Sequence, residues 1–367
     1  VLFLVPTLRR AGAETQVIDL VNGIEKTQFR KTLFVFNEEM DQLDRVESES
    51  VEVIHKPRKN RFDFSVVRDA AKIIDTHNVD IIHCTLQISL LIGWLARRFS
   101  KRKPRIIIAI HTTKNVSIKQ EIFDWLVYRP LIARADGVIF VCQTQAKYWK
   151  SKHRLVDKHI HVIYNGIDIE RFKPVIFEQS GKILRQSLGI SEDQSLVSCV
   201  AGFRREKGHF DLIRALARLG EDVQLALAGE GPYKDAVMDE TKKHGLSDRV
   251  HFLGNVADVR PLLAASDITV LASTAVETFS IAMLESMAMG VPMVVTDVGG
   301  LKEAIIDGET GYVVQPGDTE GLSRSIERIL EDRIKLANLG KNALKKACKD
   351  FTREKMINQT QKILTTI

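Results

Sequence analysis

Short apolar runs and amphipathic stretches take turns along this chain of 367 residues. In the first half the apolar runs are VLFLVP, TLFVFN, VEVIHK, DIIHCT, RIIIAIH, GVIFVC and HIHVIYN. In the second half they are SLVSCVAGF, VQLALAGEG, HFLGNV, ITVLAS, VPMVVTD and GYVVQPG. Each has strand length and is almost continuously apolar, which suits a parallel strand covered on both faces. Strands alternating with helices predict a doubly wound α/β sheet, here formed twice. The segment NGIDIERFKP, Asn165 to Pro174, follows a strand, carries a turn dipeptide and ends in proline. A domain junction is expected just after it, giving residues 1–174 and 175–346, with a closing helix over 347–367. A chain this long can bury one core in each half.

The most informative stretch is VETFSIAMLESMAMGVPMVVTDVGG, Val276 to Gly300. Ile281, Leu284, Met287 and Ala288 recur at the spacing of one buried helix face. Glu277 then stands just before this helix and Glu285 on its second turn. The N–H groups of Phe279, Ser280 and Ile281 are expected to lack intrahelical partners, and together with the helix dipole they would attract an anion. Two glutamates eight apart could equally mark a solvated face. The strand that follows shifts the balance, because Asp297 to Gly300 fall at its C-terminal edge, where open parallel sheets bind ligands. An anion cradle flanked by carboxylates suits a nucleotide-sugar, since a carboxylate accepts two hydroxyl hydrogens at once.

Other loops carry further candidates. AGFRREKGHFDLIRAL reads as a strand, a loop with Arg204, Arg205 and Lys207, then Gly208 and a helix. Arg can fork onto phosphate oxygens and Lys adds a compact charge. Gly12 and Ala13 follow the first strand, where small residues let backbone N–H groups approach a ligand. Glu14 reads as a first-turn helix acid. His111 ends RIIIAIH at a strand edge, before Thr112 and Thr113; His55, His83 and His161 have no such setting. The AGEGP turn, Gly229 to Pro232, reads as a structural strand exit. No G-x-G-x-x-G or G-x-x-x-x-G-K-[ST] loop is present, which argues against an NAD or FAD enzyme and a P-loop nucleotidase.

Composition narrows the class. A hydrophobic content of 44% and a charged content of 27% belong to a soluble globular protein. No apolar run is long enough to span a bilayer, the best candidate being Ile88 to Ala96, and no leader is evident, so a cytosolic protein is expected. Cys84, Cys142, Cys199 and Cys348 are widely spaced and read as reduced thiols, with neither zinc nor disulfides. Up to Pro174 there are 29 Lys and Arg against 20 Asp and Glu; beyond it, 24 against 27. The excess gathers in Arg58 to Arg61 and in Arg97 to Arg105. It reads either as solvated loops or as attraction to an anionic membrane face, worth about 1 kcal/mol per basic residue. Nucleic acid is not expected, because aromatics do not interleave with these clusters.

The Glu277 block resembles the donor-site signature of retaining glycosyltransferases of family 4 (glycosyl transferases group 1), which have the GT-B fold. The resemblance runs from VLFLVPTLRRAGAE to DGETGYVVQPGD. It implies two Rossmann-like domains facing across a cleft, with the C-terminal helix packing back on the first, acceptor-binding domain. It further implies that an Arg and a Lys grip the donor diphosphate without a metal. The commonest family pattern places that Arg at the position of Gly202, so Arg204 is taken instead, with Arg205 in reserve. By the same resemblance Glu277 binds donor-sugar hydroxyls, Glu285 the ribose, and Leu253-Gly254 the base. Thr278, Phe279, Ser280 and Ile281 line the donor, Gly12 and Ala13 approach it, and His111 lies beside the reacting sugar. The expected activity is a retaining, metal-independent transfer from a UDP-sugar to a glycan or lipid-linked acceptor, as in cell-surface polysaccharide or lipopolysaccharide biosynthesis. No cofactor is expected. A nucleotide-sugar epimerase or hydrolase, and a non-catalytic binder of anionic polymers, are the alternatives.

Overall fold

The structure, a computed structural model, describes residues 1–60, 63–112, 118–153, 155 and 159–367. It divides into two compact units: Val1–Gly166 together with Arg353–Ile367, and Ile167–Thr352.

The first unit is built on β1 (Leu2–Val5), β2 (Lys31–Val35), β3 (Val51–His55), β4 (Ile81–Thr85), β5 (Arg105–Ile110), β6 (Gly137–Phe140) and β7 (Ile160–Val162). They form one parallel sheet in the order β3-β2-β1-β4-β5-β6-β7. Alternate residues feed two cores. Ile82, Cys84, Ile106, Ile108 and Ile110 meet the helices Ser65–Thr76 and Gln87–Phe99 on one face. Phe3, Val5, Ile107 and Ala109 meet Gly12–Gly23 and the C-terminal helix Arg353–Thr366 on the other. Gly23 admits the last of these helices closely, since a Cβ there would lie 2.1 Å from Ile357 Cδ1.

The unit boundaries differ from those expected at 174/175 and 346/347. Residue 346 falls inside the helix Arg333–Asp350, which belongs to the second unit. The breaks fall where Ile167 N–H donates to Phe351 O at 2.8 Å and Ile167 pairs with Thr352. Residues 167–173 thus fall in the second unit, where Arg260 Nη1 also donates to Arg171 O at 3.2 Å.

The second unit carries β8 (Ser195–Val200), β9 (Val223–Ala228), β10 (Val250–Gly254), β11 (Ile268–Leu271), β12 (Met293–Thr296) and β13 (Gly311–Val314). This sheet is also parallel, in the order β10-β9-β8-β11-β12-β13. The winding reverses between β8 and β11. Their C-terminal ends therefore flank a topological switch point, the site at which such sheets bind ligands.

Among the described residues no helix is long and apolar enough to cross a membrane. Ile88 to Ala96 lie within Gln87–Phe99, which packs on the first sheet. The basic cluster that follows is partly committed to the fold. Lys103 Nζ donates to the carbonyls of Arg97 and Arg98 at the end of this helix, at 2.9 and 3.3 Å. Arg102 pairs with Asp80 at 2.8 Å, and Arg97 lies over the Trp94 ring. In the other cluster Arg58 donates to Asn37 Oδ1 and covers Phe36, while Arg61 lies outside the described residues.

Candidate active site

The two loops at the switch point of the second unit are locked to one another. Gly208 adopts φ +68°, and a Cβ there would lie 1.8 Å from Ala272 O, so only glycine permits the approach. Thr274 N–H donates to Glu206 O at 2.8 Å. These contacts set the short 3-10 turn Arg205–Lys207, after β8, against the segment after β11. Lys207 Nζ then donates to Glu277 Oε2 at 2.7 Å, and Ser273 Oγ donates to the same oxygen at 3.0 Å. Arg204 and Arg205 sit on the outer side of the turn with exposed side chains.

Glu277 is held from behind. Gly299 has φ +60°, and a Cβ there would lie 2.0 Å from Glu277 O. Gly300 N–H donates to Thr278 O at 2.7 Å. The Gly-Gly turn thus fixes the backbone that carries the carboxylate, a role the sequence reading did not assign to it. The AGEGP turn braces the cationic loop in a similar way: Phe203 N–H donates to Glu230 O, and a Cβ on Gly229 would meet Ala201 O at 2.2 Å.

The helix after Glu277 runs Ile281–Ala288, with Ser280 as its N-cap accepting from Met283 N–H at 3.4 Å. By helix geometry the donors left without intrahelical partners are those of Ser280, Ile281 and Ala282, the Met283 N–H being taken by the Ser280 side chain. Of the expected set, Ser280 and Ile281 stand at this terminus and Phe279 lies one residue before its N-cap. The Phe279 side chain is 3% exposed and packs edge-on against Phe351, so that side chain belongs to the core. Glu285 is half-buried on the second turn, within electrostatic reach of Arg260. Leu253 and Gly254 end β10 at a bulge, where Gly254 has φ +66° and its carbonyl accepts from Gly229 N–H at 2.7 Å. Sequence reasoning missed Ser273, which no motif marks. It also missed His209, whose ring stacks on Phe203 at 4.4 Å. Burial, reinforced by the charge of Lys207, lowers the His209 pKa to about 4.

In the first unit, Gly12 and Ala13 prove to be the first residues of the helix Gly12–Gly23 and not part of the preceding loop. The residue that orders that loop is Glu14, 1% exposed, which accepts from Thr7 Oγ1 at 2.8 Å and Arg9 Nε at 3.3 Å. Its role is a buried anchor, more than the dipole-facing acid expected from its position.

His111 follows β5 directly. Its flanking carbonyls are clamped: Gln145 Nε2 donates to Ile110 O at 2.8 Å and Thr112 O at 3.0 Å, and Trp149 Nε1 donates to Thr112 O at 3.2 Å. Thr113 lies outside the described residues. Desolvation lowers the His111 pKa to about 4, so the ring is neutral near pH 7. His83, which the sequence reading set aside, is 2% exposed and lines the same small cavity as His111. Its visible signal was a polar residue inside an otherwise apolar buried strand.

Among the described residues no group of three or more His, Cys, Asp or Glu is arranged to hold a metal ion. Cys84, Cys142 and Cys199 are buried free thiols and Cys348 is exposed; burial raises the Cys199 pKa to about 12.

Residues 10–171 match the family model described as Glycosyltransferase Family 4, and residues 181–346 match Glycosyl transferases group 1. The N-acetyl-alpha-D-glucosaminyl L-malate synthase of Bacillus anthracis is 31% identical over 307 residues, covering 82% of this chain and 78% of that enzyme. The chain belongs to glycosyltransferase family 4. It is a glycosyltransferase of GT-B fold, which sets aside the epimerase, hydrolase and binder readings. This glycosyltransferase is also similar to the lipopolysaccharide core biosynthesis mannosyltransferase LpsB of Rhizobium meliloti, 29% identical over 74% of this chain and 75% of that one. Among solved structures it is similar to Anabaena HepE in complex with UDP and glucose. That likeness has a TM-score of 0.88 at 25% identity, over 100% of this chain and 99% of the other.

Proposed function

We propose that this glycosyltransferase moves a sugar from a UDP-sugar to a hydroxyl of a glycan or lipid-linked acceptor, with retention of anomeric configuration and without a metal. The observation that carries the reading is the Lys207–Glu277 pair, 2.7 Å apart at the switch point of the second sheet. A cation there suits a pyrophosphate, and a carboxylate beside it suits sugar hydroxyls. The similarity to HepE, solved with UDP and glucose, supports UDP as the nucleotide.

The donor diphosphate already carries negative charges and gains one more as the glycosidic bond breaks. Arg204, Lys207 and the N–H groups at the start of Ile281–Ala288 stabilise them, in place of a divalent ion. The acceptor hydroxyl attacks from the face the leaving group quits and gives its proton to a diphosphate oxygen. Glu277 binds hydroxyls of the donor sugar, Glu285 the ribose, and the main chain at Leu253-Gly254 the base. The neutral ring of His111 hydrogen-bonds the reacting sugar.

The test is UDP release from a panel of UDP-sugars with EDTA present, alongside a thermal-shift screen of the same panel. Activity lost to EDTA and restored by a divalent ion would refute metal independence. Binding of none of the panel would refute the UDP assignment.

The acceptor-facing role of the first unit includes contact with an anionic membrane face. Its basic excess supports this, as do the exposed side chains of Ile122, Phe123, Trp125 and Leu126. Flotation with phosphatidylglycerol and phosphatidylcholine vesicles tests it, and equal recovery with both would refute it.

A further inference from the structure

Strand alternation sends His83 and Thr85 of β4, and His111 just beyond β5, to the same face of the first sheet, where Thr85 pairs in register with Ala109. The helices Gly12–Gly23 and Arg353–Thr366 cover this face. A cavity of about 30 Å³ remains beneath them, lined on its polar side by Gln16, His83, Thr85, His111, Asn165 and Thr360, whose hydroxyl donates to Met356 O.

Two polar atoms in this cavity have no hydrogen-bond partner among the described residues: His83 Nδ1 and Thr85 Oγ1. Their residues are 2% and 1% exposed. Leaving both unsatisfied would cost about 1–3 kcal/mol each. Gln16 makes no bond to either, its amide being turned to Gly166: Gly166 N–H donates to Oε1 at 2.7 Å and Nε2 donates to Gly166 O at 3.0 Å. The cavity exceeds the roughly 10–15 Å³ that one water requires, and it presents the two to four polar partners that hold a water in place.

We propose that a bound water joins His83 Nδ1 and Thr85 Oγ1 to the His111 ring, and that His83 is thereby a positioning residue that fixes the tautomer and orientation of His111. A neutral imidazole has one donor and one acceptor nitrogen, and the bond made at one sets what the other can do. A water held by His83 and Thr85 presents a fixed bond direction to a third partner, and whichever role it takes there, donor or acceptor, is met by only one state of the facing nitrogen. That choice passes to His111. Burial lowers the pKa of both rings, so a network of neutral groups is what the face can sustain. The link to catalysis rests on the proposed role of His111; the water and the tautomer do not.

The test uses the full chain labelled with 15N in its histidine rings. The expected result is a single neutral tautomer for His111 in the parent protein. Thr85→Val, which keeps side-chain shape and removes the hydroxyl, and His83→Phe should each turn that signal into a tautomer mixture. His83→Asn, which restores a polar atom near the Nδ1 position, should recover it. A high-resolution crystal structure should show a water within hydrogen-bond distance of His83 Nδ1, Thr85 Oγ1 and the His111 ring. A dry cavity, or a His111 signal unchanged in both Thr85→Val and His83→Phe, overturns the proposal. UDP release from UDP-glucose or UDP-N-acetylglucosamine then reads the catalytic link. Thr85→Val and His83→Phe should each lower kcat by about 10–100-fold with KM little changed, and have no further effect in a His111→Ala background. Equal losses in both backgrounds would mean that His83 is merely structural. An unchanged rate in His111→Ala would instead remove the proposed role of His111 and leave the tautomer result to decide the water.

Discussion

Lys207 Nζ lies 2.7 Å from Glu277 Oε2, although 70 residues separate the two in the chain. Both are mostly buried, the side chains 22% and 10% exposed, so the pair is better shielded than a surface salt bridge. Substrate phosphate and sugar would meet a cation and an anion that already hold one another in place. Lys207→Ala and Glu277→Ala should each cost about 2–4 kcal/mol in transition-state stabilisation, read from kcat/KM for UDP-sugar turnover. The double variant should cost less than the sum, because each single change also strands the other charge. Full additivity would mean the two act independently.

The position of Glu277 depends on the glycine packed behind its backbone. At Gly299 a Cβ would stand 2.0 Å from Glu277 O, on a backbone already at φ +60°. Gly299→Ala should destabilise the protein by about 1–3 kcal/mol and move the carboxylate. UDP affinity, measured by calorimetry, should fall less than turnover, since the displaced group serves the sugar. An unchanged kcat/KM in a folded Gly299→Ala protein would refute this positioning.

Arg204 and Arg205 are both exposed on the turn that carries Lys207. If Arg204 supplies the second cation to the diphosphate, Arg204→Ala should weaken UDP binding by about 10-fold or more and reduce its salt dependence. Arg205→Ala should leave both nearly unchanged. The reverse ranking would assign the diphosphate to Arg205.

Acid should destabilise the fold through its buried histidines. His83 and His209 are each 2% exposed, and their pKa values are lowered from the ordinary 6.5 to about 4, chiefly by desolvation. Between these values the unfolded chain binds protons that the folded protein excludes. Stability is therefore fully present above about pH 6.5 and falls as the pH drops toward 4, with an upper limit on the order of 3 kcal/mol per ring. Urea unfolding across this range checks the sign, and His209→Phe should remove that ring's share of the slope. A slope unaltered by His209→Phe would mean that the ring protonates as readily folded as unfolded.

Much of the fold was legible because parallel strands buried on both faces are written as unbroken apolar runs. All thirteen runs hold a strand, from Leu2–Val5 to Gly311–Val314. Boundaries were less legible. The final unit break near Thr352 is set by pairing with Ile167, and nothing local to residues 347–352 records a partner so far away in the chain. Of the candidate site, Glu277 and Lys207 stand out only through their setting and the family resemblance, since either charge alone reads equally as a solvated face. Gly12 and Ala13 were placed in a loop because small residues after a strand do not say where the next helix begins.

The alternation of apolar runs with amphipathic segments, and the residues at the strand ends, determined by themselves that this chain builds two parallel sheets with chemistry on their edges. Only the tertiary structure decided which edge residues meet. Strand order, not sequence order, brings the ends of β8 and β11 together, and with them Lys207, Ser273 and Glu277. It also decided which polar residues are buried. His83 and Thr85 stand in the sequence as polar residues of an apolar strand, but their environment is set by helices contributed from opposite ends of the chain. Periodicity is a local property that a short window of residues carries. Register and burial depend on partners distant in the chain, which no window contains.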